Sequence, residues 1–166
     1  MSGAATTVLV AGLIAATVVD IRTRRIPNAI TAAMAGLGFA MALTRVSGIS
    51  PGAAVLGFVL GLLLMLPGHA LGATGAGDVK LMAAVGAIVG PALVVTAFLA
   101  TAIAGGVLAV AVAIQRGRLG TTLAHTGKLV AAPSETKKTL ESSSRENRFA
   151  YGPAIAIGSV VAVMLR

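Results

Sequence analysis

Hydrophobic positions in this chain come in long uncharged runs, and Arg, Lys, Pro and Gly collect in the short segments between them. Met1–Val19 is uncharged over 19 residues, Val46–Gly77 lacks Asp, Glu, Lys and Arg over 32, and Leu81–Gln115 is uncharged over 35. About 20 apolar residues cross a bilayer core as one helix, so the runs predict spanning helices. The first is expected at roughly Ala4–Val19. A basic turn with Arg22, Arg24 and Arg25 follows, and Pro27-Asn28 is where a second helix, roughly Ala29–Thr44, can begin. Arg45–Pro51 is a link rich in turn formers. A third helix runs over about Gly52–Leu71, bent or ended near Pro67-Gly68, and Gly72–Gly77 is a flexible glycine-rich link. Phe149–Leu165 is the last helix.

The Leu81–Gln115 run is interrupted by Gly90-Pro91 and reads as one kinked helix or two. The next segment, Arg116–Arg148, carries seven Lys/Arg. Cytoplasmic loops concentrate Lys and Arg, so this segment should share a face with the Arg22–Arg25 turn, which selects two helices. Val79–Val89 is short for crossing ~30 Å, which predicts a break later than Pro91 or a thinned bilayer. The expected fold class is all-α: a polytopic bundle of six transmembrane helices with both termini outside, forming one domain over residues 1–166. On this topology 11 of the 13 basic residues lie inside, leaving Arg45 and Arg166 outside. Within 116–148, Leu119, Leu123, Leu129 and Val130 predict a short helix on the membrane surface. Ala132–Asn147 reads as a mobile linker.

Composition strengthens the membrane reading. Hydrophobic residues make up 57% of the chain and charged residues 11%, with mean hydropathy +0.96; soluble domains carry about 25% charged residues. Twenty-one glycines fit helices that approach closely through small residues. The absence of cysteine excludes disulfides, a Cys-based zinc module and a thiol nucleophile. Met1–Val19 has no basic residue before its apolar stretch and no small-residue cleavage site after it, so it reads as a retained helix and not as a signal peptide. The net charge of +8 does not point to nucleic acid, because one Tyr and four Phe offer few stacking platforms and the basic residues sit between spans.

The candidate chemistry rests on Asp20 and Asp78, the only acidic residues before Glu135. A carboxylate at the end of an apolar span is costly and is a functional candidate by default. Asp20 follows one crossing and Asp78 three, so topology brings residues 58 positions apart to one face and depth. Two neighbouring carboxylates share a proton, so one can take a proton from water while the other polarises a carbonyl, as in aspartic proteases. Gly75 and Gly77 would let backbone near Asp78 approach an extended peptide. The same aspartates also read as helix caps or as snorkelling partners of Arg22 and Lys80, and the residues alone leave both readings open.

Other groups carry less. His69 reads as an interfacial anchor, His125 as solvated, and Glu135, Glu141 and Glu146 as parts of a solvated loop. No His/Asp/Glu cluster has metal-ligand spacing, so neither metal nor cofactor is expected. Gly57 and Gly61 form a G-x-x-x-G suited to packing within the bundle or between protomers.

Asp20-Ile21-Arg22-Thr23-Arg24-Arg25-Ile26-Pro27-Asn28 resembles the D-x-R-x-x-x-I-P-N signature of type IV prepilin peptidases. Gly75-Ala76-Gly77-Asp78-Val79-Lys80-Leu81 is similar to their G-x-G-D-[VI]-K segment, and Tyr151-Gly152-Pro153-Ala154 to the aromatic-Gly-Pro element opening their last helix. The resemblance implies a six-helix intramembrane aspartic protease of the inner membrane, with its active site on the cytoplasmic side, that removes the basic leader of prepilins or pseudopilins. Asp20 and Asp78 match the two catalytic aspartates, and Gly75 and Gly77 the motif glycines. Arg22, Pro27, Asn28 and Lys80 belong to the matched segments without an assigned role, Pro27 and Asn28 being suited to the turn into the second helix. The chain begins at its first helix and lacks the paired cysteines of bifunctional members, so the resemblance implies peptidase activity without N-methylation, as in the compact peptidases of Flp-type pili. Archaeal preflagellin peptidases are the other compact relatives. A small ion or proton transporter using Asp20 and Asp78 is the competing class; such sites lie near midplane on broken helices, whereas these lie at span ends. A non-enzymatic assembly subunit would leave both aspartates without purpose.

Overall fold

The computed structural model describes residues 1–115 and 151–166, whose regular structure is helical throughout. Six helices follow in order: α1 Gly3–Thr23, α2 Asn28–Leu43, α3 Pro51–Ala70, α4 Ala76–Val89, α5 Pro91–Gln115 and α6 Gly152–Met164. The expected surface helix and linker of 116–148, with His125, Glu135, Glu141 and Glu146, lie outside the described residues.

Local chemistry sets the boundaries. Ser2 caps α1 by accepting from the Ala5 amide at 3.3 Å. The helix runs four residues beyond the expected Val19, because no Pro or Gly stops it. It ends where Arg24 turns left-handed (φ 52°) and its N–H donates to the Asp20 carbonyl at 2.7 Å. Asp20 and Arg22 therefore belong to the last turn of α1 and not to the following loop. Pro27 precedes α2, as its fixed φ suits. Ser50 and Pro51 start α3, which continues through Pro67 to Ala70. Gly75 caps α4, so Ala76 and Gly77 are helical and the glycine-rich link is shorter than expected. The next break falls at Gly90 (φ 83°), directly before the proline that opens α5, and not beyond Pro91.

The short α4 is the centre of the bundle, packing against each of the other five helices. From Asp78 to Val89 every residue but Lys80 is buried. Its 14 residues span about 21 Å. A helix sheathed by protein need not match the thickness of the hydrocarbon, which answers the length difficulty without moving the break.

Glycines allow this enclosure. Gly57 on α3 and Gly86 on α4 face each other so closely that a Cβ on either would run into the other's carbonyl group. A Cβ on Gly61 would stand 2.5 Å from the Met82 carbonyl oxygen. The G-x-x-x-G of α3 thus packs inside the bundle against α4. Outward, α1, α3 and Pro91–Val112 of α5 are long and apolar enough to cross a membrane, while α2 and α6 are shorter apolar helices. Large apolar side chains such as Ile14, Leu63, Leu99 and Ile103 are exposed. That surface belongs in lipid, and the protein is a membrane protein.

Gly86→Ala should lower stability by about 1–3 kcal/mol, because the obstruction is backbone and α3 and α4 must separate. Thermal unfolding in detergent measures this, with Gly36→Ala, whose Cβ would meet nothing within 4 Å, expected to be neutral.

Candidate active site

Successive helices run in opposite directions, so one end of the bundle gathers the end of α1 and the starts of α2, α4 and α6. Asp20 and Asp78 lie at this end, both buried, with 4% and 8% of their surface exposed. Each is held by a backbone amide at a helix N-terminus. The Asp20 Oδ2 accepts from the Gly152 N–H that opens α6, at 2.8 Å in a buried bond between residues 132 apart. The Asp78 Oδ2 accepts from the Gly75 N–H at the start of its own helix, also at 2.8 Å. The partial positive charge of a helix N-terminus favours a carboxylate, and bonds to charged acceptors are the stronger kind.

Asp78 is thus a helix cap. Asp20 makes no ion pair among the described residues. Arg22 is exposed, and the Lys80 ammonium reaches Asn28.

Two contacts join the segment after Asp20 to the segment around Asp78. The Lys80 ammonium donates to the Asn28 Oδ1 at 2.9 Å, linking the first turns of α4 and α2. A Cβ on Gly77 would stand 3.0 Å from the Ile26 Cβ and 3.3 Å from its carbonyl oxygen. Gly77 therefore packs tightly against Ile26 where the two segments meet. Gly75 contributes its amide. Pro27 is exposed and sets the entry into α2. His69 donates from Nδ1 to the Thr74 carbonyl at 3.0 Å, anchoring the α3–α4 link.

Tyr151 and Gly152 complete the site. A Cβ on Gly152 would lie 2.8 Å from the Asp20 Oδ2, so the residue is tight against the carboxylate it holds. Tyr151, the residue before α6, lies close enough to Asp78 for its charge to act on the phenol. Burial first and then that charge push the phenol up from its ordinary value. The ring rests on Gly105 of α5, where a Cβ would come within 2.6 Å of it. Gly105 was not singled out from sequence, and Ile26, Tyr151 and Gly152 entered only as members of the segments that resemble the family's, without a place in the site. The glycines at 105 and 152 were the available signal, but their partners are distant along the chain. Among the described residues no group of His, Cys, Asp and Glu could hold a metal ion.

The structure is that of a helical membrane protein whose two buried acidic residues gather at one end of the bundle, Asp20 bonded to Gly152 and Asp78 to Gly75. The sequence model of the type IV leader peptidase family matches residues 7–110, more than half of the chain. The chain belongs to that family, whose activity is that of a prepilin- or preflagellin-type peptidase. Comparison with curated proteins and with solved structures gives no match.

Asp20→Asn retains an acceptor for the Gly152 amide and should keep its stability, whereas Asp20→Ala should lose about 1–3 kcal/mol by stranding a buried donor. Thermal unfolding of the two variants in detergent distinguishes them. Lys80→Met removes an exposed bond and should cost no more than about 1 kcal/mol by the same assay.

Proposed function

We propose that this protein is an aspartic leader peptidase in which Asp20 and Asp78 are the catalytic pair. The observation that carries the reading is that the two buried carboxylates lie at one end of the bundle, each held by a backbone amide at a helix start, Gly152 for Asp20 and Gly75 for Asp78. The ionised carboxylate takes a proton from water, whose oxygen attacks the scissile carbonyl. The protonated carboxyl gives its proton to the carbonyl oxygen as the tetrahedral intermediate forms. Collapse of that intermediate breaks the C–N bond, and a proton returns to the leaving amine. Neither carboxylate becomes covalently attached, and no metal or cofactor is invoked.

The substrate in this reading is a prepilin or pseudopilin with a basic leader, of the Flp type. All six helices span the inner membrane with both termini outside, so the site opens at the cytoplasmic surface. The 11 basic residues that this orientation places inside support it. No methyl-transfer activity accompanies cleavage. Carboxylates at helix ends suit hydrolysis at a water-facing surface better than ion passage, which favours mid-membrane sites on broken helices.

Cleavage of a Flp-type prepilin by the purified protein in detergent tests the proposal. Asp20→Asn and Asp78→Asn should each reduce the rate by about 10²-fold or more while the protein stays folded. Retained cleavage in either variant would remove that residue from the pair. A wild type that cuts preflagellin and not prepilin would redirect the substrate, and one that cuts neither but carries protons in liposomes would replace the peptidase by a transporter.

A further inference from the structure

The matched family segment ends at residue 110, yet among the described residues the only hydrogen-bond donor to the Asp20 carboxylate is the Gly152 amide. We infer that the Tyr151-Gly152 turn is a positioning element of the catalytic centre, the Gly152 amide fixing the Asp20 carboxylate and the Tyr151 ring, seated on Gly105, fixing the turn. The inference rests on the peptidase reading of Asp20 and Asp78.

Three observations support it independently. The Gly152 N–H to Asp20 Oδ2 bond is buried and 2.8 Å long. Such a bond is short-range and directional, so it sets where the carboxylate stands and which way it faces. Second, the space at Gly152 is filled by the carboxylate itself. An added Cβ would lie 2.8 Å from Oδ2 and 3.1 Å from the Asp20 Cβ. The nearest atom is the mobile end of a side chain, so Ala at this position displaces the carboxylate before it disturbs the backbone. Third, the turn is braced from behind. A Cβ on Gly105 would lie 2.6 Å from the Tyr151 Cε2 and 2.7 Å from its hydroxyl oxygen. The ring is rigid and half-buried, so it can yield to that intrusion only by swinging about its side-chain torsions off its seat or by shifting the turn, and either loosens the brace. The neighbouring Gly106 meets nothing within 4 Å.

The chain of contact therefore runs from α5 through Tyr151 to Gly152 and on to Asp20. Neither Gly105 nor Gly152 takes part in proton transfer in this scheme. Both act through Asp20, so their loss should slow the chemical step without weakening the hold on the substrate.

Steady-state cleavage of a prepilin by the full-length protein in detergent reads this out. Gly152→Ala should lower kcat about 10- to 100-fold, the loss a displacement of up to an ångström brings, with KM changed less than about twofold. Gly105→Ala should lower kcat in the same direction with KM again unchanged, and Gly106→Ala should match wild type. A Gly152→Ala enzyme with wild-type kcat overturns the inference while the peptidase reading stands. Equal losses in Gly105→Ala and Gly106→Ala would overturn the bracing of the turn, since they would report a general effect on α5. The amide signals of the ¹⁵N-glycine-labelled protein give a readout free of activity. The signal absent from Gly152→Ala identifies Gly152, and it should move in Asp20→Ala while the Gly3 and Gly36 signals stay in place. An unmoved Gly152 signal overturns the inference even if no prepilin is cut, and a wild type that cuts none counts against the peptidase reading alone.

Discussion

The enclosure of α4 is the constraint on which the rest of the structure depends. Apart from Asp78 and Lys80 its residues are small or apolar, and it is too short to be matched to the bilayer core on its own. In lipid, helices gain little from hiding apolar surface, so association relies on close van der Waals fit. That fit needs backbones near contact, which explains glycine on both sides of the α3–α4 seam and Gly38 of α2 against the backbone of Ala87. Once α4 is enclosed, its first turn is fixed at one end of the bundle, and Asp78 with it. The longer helices around it are left to present the apolar surface that lipid requires.

The site at that end solves a problem of charge. A buried carboxylate accepts hydrogen bonds and offers none when ionised, so it needs donors that are already in place. Backbone amides at helix starts are such donors, since the first turn leaves several N–H groups without helical partners. Asp78 takes one from its own helix and Asp20 takes one from α6. Neither bond adds a formal charge, and Asp20 makes no ion pair among the described residues. A lysine or arginine in the same place would hold the carboxylate ionised through the whole cycle.

Much of this was legible in the sequence because its signals are local. Pro27-Asn28 marks the start of α2, Gly90-Pro91 the break after α4, and the spacing of Gly57 and Gly61 the close seam of α3. The two aspartates stood out through the absence of other charge. What the sequence concealed is of two kinds. The ends of α1 and α4 were misjudged by a few residues: α1 ends only where Arg24 turns left-handed, and Gly75 caps α4 early because Asp78, three residues on, reaches back to its amide. Contacts between distant segments were hidden altogether. Nothing in Gly77 announces Ile26, and nothing in Gly152 announces Asp20, because a glycine required by close packing reads the same as one required by a turn.

That last pairing bears on what the family match means for this chain. Residues 7–110 contain both aspartates, both motif glycines and the Asn28–Lys80 link, so every acidic group of the proposed chemistry lies within them. They do not contain the amide that holds Asp20. The site is therefore larger than the segment that identifies the family. Its outlying part is a backbone N–H, which any residue but proline supplies, joined to a demand for no side chain at 152. In sequence that requirement shows only as the Tyr151-Gly152-Pro153 element at a helix start, which does not announce its partner. Within the matched region only Gly105 hints at it, as a vacancy on α5 shaped for the Tyr151 ring. The identity of the chain is thus carried by its acidic segments, and the geometry of Asp20 by a turn with no acidic residue of its own.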